Sequence, residues 1–146
     1  MIVLSVNYRG LASLPKKLAV QRFVEERAPD VLFLQESMGR GEVIMEELDS
    51  ILNGWVFVSV DFFGNSGGLL LGWKLNCFHL HNAWVVVSGL SVTLFSIKLK
   101  VSLRFVNVYE PYIERESFWN RLIAMECFIC SKLICGGDLK FSIGFF

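Results

Sequence analysis

The chain has 146 residues, with 14 lysines and arginines against 14 aspartates and glutamates, so its formal charge at pH 7 is zero. It is 53% hydrophobic, 14% aromatic and 19% charged, which excludes a disordered chain and the basic excess of a non-specific nucleic-acid binder. The length suits one domain, residues 1–146, and a charge content below the roughly 25% of an average soluble domain points to a surface awaiting a partner or further chain.

The opening segment, MIVLSVNYRG, has no basic stretch ahead of an apolar one. It does not read as a signal peptide, and an intracellular setting, nucleus or cytoplasm, is expected. Residues 1–6 form a short apolar strand that ends in the turn Asn7-Tyr8-Arg9-Gly10. Pro15 suits the first turn of a helix with Leu18, Ala19, Phe23 and Val24 as its apolar stripe and Lys16, Lys17, Arg22 and Glu26 off it. Pro29 stops that helix. Val31-Leu32-Phe33-Leu34 follows as a fully buried strand running into Gln35-Glu36. Strand, helix and buried strand make a β-α-β unit, whose crossover is right-handed as a rule.

Residues 42–52 read as a helix with Ile44, Leu48, Ile51 and Leu52 inward, closed by Asn53-Gly54. Residues 55–60 and 68–73 are strands joined by a hairpin loop through Phe62 and Phe63. The uncharged stretch between Lys74 and Lys98 mixes valines with His, Asn, Ser and Thr and is broken by Gly89. It reads as strands rather than a membrane span. Residues 101–109 alternate before Glu110-Pro111, residues 114–129 form a helix with Phe118 and Leu122 inward, and Leu133-Ile134-Cys135 is a buried strand ending in Gly136-Gly137-Asp138. This is a second β-α-β unit, similar to the first in architecture but not in residues.

Cysteines stand at 77, 127, 130 and 135. Without a secretory signal they do not suggest a disulfide framework. Cys127 and Cys130 form a C-x-x-C inside a helical pattern that lacks the turn of a zinc knuckle, and the four read as buried thiols. His79 and His81 read as ordinary sheet residues.

The chemistry gathers at strand ends. Asn7, Glu36, Tyr109 and Asp138 each close an apolar strand at what the two β-α-β units make one edge, and such edges are where open α/β sheets bind ligands. A carboxylate there can hold a hard cation such as Mg²⁺. A second can orient or deprotonate a water, while Tyr and Asn supply hydrogen bonds to a phosphate. Taken singly, each is also simply the polar residue that ends a strand.

The motifs VLSVNYRGL, PDVLFLQES, SGGLLLGW, RFVNVYEP, FWNRL and ICGGDLKFSIG come in an order that resembles the endonuclease/exonuclease/phosphatase superfamily. The resemblance runs over the whole chain and is nearest to the N-terminal part of plant LINE-type (non-LTR) retrotransposon endonuclease domains. It implies an α/β sandwich of two facing mixed sheets with helices outside, and Mg²⁺-dependent phosphodiester hydrolysis on DNA without a covalent intermediate. It implies Glu36 as the metal ligand, Asn7 as the active-site asparagine, Tyr109 as the contact to the scissile phosphate and Asp138 as the group that positions or activates water.

The chain departs from the pattern in places. Gly-Asp-Leu-Lys places Lys140 where the family has Asn, Val6 stands for a usual Trp, and Glu110 for a common Gly, adding negative charge near the phosphate. The family's C-terminal Asp-His pair has no counterpart before Phe146, so the expected fold is a partial sandwich with its C-terminal strands missing. A weakly active or inactive truncated copy is the expected function, with a non-catalytic interaction module or retroelement remnant as the alternative. Exposed apolar edges, with Phe141, Ile143, Phe145 and Phe146 short of packing partners, make association with a partner or aggregation a further expectation.

Overall fold

The computed structural model describes residues 1–61, 67–125 and 132–139. Its elements in chain order are β1 (Val3–Asn7), α1 (Leu14–Arg27), β2 (Val31–Gln35), α2 (Gly41–Ile51), β3 (Trp55–Val60), β4 (Leu69–Lys74), β5 (Phe78–Val86), β6 (Gly89–Ser96), β7 (Val101–Tyr109), α3 (Arg115–Ile123) and β8 (Leu133–Asp138). The strands form two four-stranded sheets, ordered β1-β2-β4-β3 and β5-β6-β7-β8. β1 pairs with β2 in parallel and β7 with β8 in parallel, and every other pairing is antiparallel. Both β-α-β units are therefore present, one in each sheet. The hairpin loop at 62–66, the C-x-x-C pair and residues 140–146 lie outside the described residues.

The sheets face one another through an apolar layer. Val31, Phe33, Leu71 and Trp73 of the first sheet pack on Phe78, Leu90, Val92, Leu94, Leu103 and Phe105 of the second. Phe105 sits at the seam, edge-on to Phe33 at 6.4 Å and to Phe78 at 5.9 Å between ring centroids. Alternate residues of β2, Leu32 and Leu34, point the other way, onto α1 and α2 with Leu11, Val20, Ile44, Leu48 and Leu52. That two-sided cover is why all five residues of β2 are buried and why its sequence shows no polar alternation. α3 covers the outer face of the second sheet, setting Phe118 and Leu122 on Val86, Val106 and Val108. The result is an α/β sandwich of two mixed sheets with helices outside, as the sequence motifs implied.

Two expectations are corrected. The buried face of α1 is Lys17, Val20 and part of Val24, while Leu18 and Phe23 are exposed. Lys17 explains the shift, because its aliphatic stem lies in the groove against α2 and its ammonium reaches the carboxylate of Glu47 and the carbonyl of Ala12. β8 is half-buried along its length rather than fully buried, since it stands at the end of its sheet among the described residues.

His81 stacks on Phe95 and shares a hydrogen bond with Ser102, as an ordinary sheet residue does. Cys77 and Cys135 are half-buried rather than buried. Burial first, and the Asp30 carboxylate second, push the Cys77 thiol above its usual value, which favours its protonated form. No helix among the described residues is long and apolar enough to cross a membrane.

Candidate functional site

Parallel pairing carries the ends of each unit to a common edge. In the first sheet Asn7 and Gln35 are register partners, so Glu36 emerges one residue beyond, beside Asn7. In the second sheet Tyr109 and Asp138 are register partners. In the packed sandwich β1 and β2 both lie against β8, which brings the two edges together.

Asn7 joins them. Its side-chain oxygen accepts the backbone N–H of Arg9 at 3.0 Å, an Asx turn that fixes which way the amide faces. The Nδ2 group is then directed at both carboxylates and donates to Glu36 Oε1 at 3.0 Å and to Asp138 Oδ2 at 3.1 Å. One neutral amide thus holds two carboxylates from opposite sheets in a single constellation. Tyr109 stands beside Asp138 as its register partner, with its backbone N–H bonded to Ser88 at 2.9 Å. Of the four residues nominated from sequence, three are linked directly by hydrogen bonds and the fourth is their neighbour across the β7–β8 ladder.

The loops that carry these groups are tightly held. Glu36 has a left-handed backbone, φ 53°, a conformation that costs an ordinary residue about 1–2 kcal/mol. Its carbonyl accepts the N–H of Gly10 at 2.6 Å, and the next amide, Ser37, bonds the carbonyl of Gly68 at 3.1 Å. Gly67 packs so closely on this bend that a Cβ there would fall 2.8 Å from Glu36 Cα. On the other side, the Lys16 ammonium donates to the carbonyls of Tyr8 and Arg9, at 2.9 and 2.6 Å, and pins the turn that presents Arg9.

Beneath the constellation lies a polar layer that sequence reasoning missed. Gln35 Nε2 donates to Asn107 Oδ1 at 2.7 Å and to Ser5 Oγ at 3.1 Å, and Asn107 Nδ2 bonds the carbonyls of Leu34 at 3.2 Å and Leu70 at 2.8 Å. Both amides are buried, so this satisfied network ties the sheets together directly under the site. The alternation in Arg104-Phe105-Val106-Asn107 was the available signal, because it puts Asn107 on the same inward face as Phe105.

A cleft of about 430 Å³ opens at this edge, lined by Asn7, Arg9, Tyr112, Arg115 and Asp138. Arg115 and the exposed Tyr112 were not nominated from sequence. Glu110 departs from its expected place. Its carboxylate is buried and turned towards α3, accepting Arg115 Nε at 2.8 Å and Trp119 Nε1 at 2.9 Å, so its charge is matched rather than presented to the cleft. One residue after Tyr109, the strand's alternation sends Glu110 to the opposite face. Lys140 lies outside the described residues.

The donor chemistry suits a hard divalent cation. Asp138 lines the cleft and Glu36 meets it at the shared Asn7 amide, and Mg²⁺ asks for one or two carboxylates with the rest of its shell left to water and phosphate. Among the described residues no group of three or more His, Cys, Asp or Glu that could hold a metal ion assembles.

No family model and no curated protein matches the chain. Solved structures do. A humanized D. rerio TDP2 superposes with a TM-score of 0.72 at 13% identity, covering 95% of this chain and 63% of that one. The human Nocturnin catalytic domain with a bound sulfate anion gives 0.67 at 16% identity, covering 94% and 64%. The AP endonuclease LMAP from Leishmania major gives 0.67 at 18% identity, covering 94% and 54%. A Bacteroides thetaiotaomicron protein described as of the endonuclease/exonuclease/phosphatase family gives 0.61. The chain has the fold of endonuclease/exonuclease/phosphatase proteins. It spans between about half and just under two-thirds of the length of these structures.

Proposed function

We propose that the chain is a Mg²⁺-assisted phosphodiesterase domain that cuts DNA, of the kind carried by plant LINE-type retroelements. The observation that carries this reading is the Asn7 amide bonded at once to Glu36 and Asp138 across the sandwich. The fold supports it, being shared with an AP endonuclease and with a D. rerio TDP2 complexed with single strand DNA product. The sequence motifs support the LINE-type assignment.

In this reading Glu36 is the metal ligand. A bound Mg²⁺ would supply positive charge to the phosphate oxygens. Asp138 accepts a proton from the attacking water and orients it in line with the bond to be broken. Asn7 keeps the two carboxylates apart and aligned, and its own amide is held by the Arg9 backbone. Tyr109, at the end of β7, offers its phenol to the phosphate as charge develops. The buried Gln35–Asn107 layer keeps the two sheets, and hence Glu36 and Asp138, in fixed register.

Lys140 favours a second reading, a non-catalytic copy kept as a binding module or remnant. An ammonium only donates, and its charge opposes a nearby cation where an Asn would both donate and accept. Nicking of supercoiled plasmid decides between them. The proposal expects cutting that requires Mg²⁺ and falls at least about a hundredfold in both Glu36→Ala and Asp138→Ala. A folded wild-type chain, verified by circular dichroism, that cuts no faster than buffer overturns it in favour of the second.

A further inference from the structure

The cleft holds a device that phosphodiester cleavage alone does not require. Arg115 opens α3, and its Nε–H is taken by the buried Glu110 carboxylate, which also receives the Trp119 indole N–H. A buried carboxylate is costly unless paired, so Glu110 fixes Arg115 as firmly as Arg115 neutralises Glu110. Among the described residues the arginine is bound through that one nitrogen. Among the described residues its terminal Nη groups have no partner, its side chain is 40% exposed, and it lines the cleft with Asn7 and Asp138. Arg9, on the turn pinned by Lys16, lines the same cleft and likewise has no ion-pair partner among the described residues.

We propose that Arg115, positioned by Glu110, is a preset clamp for a second, non-reacting phosphate of the substrate strand. The inference rests on the phosphodiesterase reading and gives it a substrate class: a strand with flanking phosphates, in preference to a small phosphomonoester. Three physical points carry it. The open Nη edge of a guanidinium is a planar fork matched to two phosphate oxygens, which a lysine cannot reproduce. Because Glu110 already holds the side chain, little rotamer freedom is lost on binding. Glu110 also cancels the arginine's charge at a distance, so the clamp acts at contact range rather than by attracting any anion.

The test is binding of a short fluorescein-labelled single-stranded oligothymidylate to the full chain in EDTA, over a salt series. Arg115→Ala is expected to weaken binding about tenfold, the size of one lost charge-assisted contact. It should also lower the slope of log affinity against log salt by about 0.7, one phosphate contact on a single strand. Should Arg115→Ala fail to fold, Arg115→Lys, which keeps a charge beside Glu110 but loses the fork, must show the same loss of affinity. Glu110→Ala should weaken binding although Arg115 is intact, and Glu110→Gln, whose amide oxygen still accepts both N–H groups, should restore it at least to wild type. Unchanged affinity and slope in both Arg115 variants overturns the clamp and leaves the nuclease reading standing. Glu110→Ala behaving as wild type overturns the positioning. If wild type binds inorganic pyrophosphate through Arg115 but not the oligonucleotide, the strand clamp is overturned, and Arg115 is a site for a small phosphate compound; binding of neither overturns the clamp as well.

Discussion

The two β-α-β units that frame the cleft share a topology and differ in burial. In the first, β2 lies inside its sheet and under two helices, and all five of its residues are buried. In the second, β8 ends its sheet among the described residues and is half-buried throughout. Glu36 therefore stands on a stiff base and Asp138 on a softer one. The contrast assigns different work to the tie between them: the Asn7 amide and the Gln35–Asn107 layer hold the second unit to the first.

The comparison breaks first, if it is wrong, in the core. Phe33→Ala in β2 should cost about 3–5 kcal/mol, the range for a fully buried aromatic. Ile134→Ala in β8 faces the same apolar layer but is only partly buried, and should cost about 1–2 kcal/mol. Urea unfolding, read as the shift in midpoint at constant slope, measures both, and equal losses would show that the two units are equally stiff.

The tie itself comes next. Asn107→Ala removes the side-chain donor to the carbonyls of Leu34 and Leu70 and leaves the Gln35 amide with Ser5 alone, for an expected loss of about 1–3 kcal/mol. Thermal melts would reveal it. A change within about 0.5 kcal/mol, as for an ordinary surface substitution, would mean that the layer does not bind the sheets together.

The smallest effect concerns the loop side of the first unit. The Tyr8 hydroxyl is buried with no hydrogen-bond partner among the described residues, and burial pushes its pKa above the ordinary value near 10. The folded state thus holds this proton more tightly than the unfolded chain does. The resulting stability is complete below about pH 10 and is lost as pH rises towards the folded value. Tyr8→Phe should leave stability at neutral pH within about 0.5 kcal/mol and make the alkaline decline shallower in melts from pH 8 to 11. An unchanged alkaline decline would remove Tyr8 from the account.

Much of this was legible in the residues. Unbroken apolar runs marked β2, alternation marked β7, and the polar residues closing them marked Asn7, Glu36, Tyr109 and Asp138. The remainder was decided by tertiary contacts that periodicity does not encode. Lys17 counts as polar on any pattern, yet its stem fills the groove between α1 and α2. Glu110 follows Tyr109 directly, and only the facing of α3 shows that its carboxylate meets Arg115 rather than the cleft. The insertion of β4 between β2 and β3 also had no local signal, because it depends on how the hairpin docks.

If Glu36 is the metal ligand that we propose, its bend places stability and activity in opposition at a single position. A glycine or asparagine there would relax the left-handed backbone and release about 1 kcal/mol, since these residues tolerate that conformation, but either would remove the carboxylate. Selection for folding alone would therefore push position 36 away from glutamate. Thermostability screens on this scaffold would be expected to discover Glu36→Gly or Glu36→Asn early, and with either the proposed metal ligand would be lost.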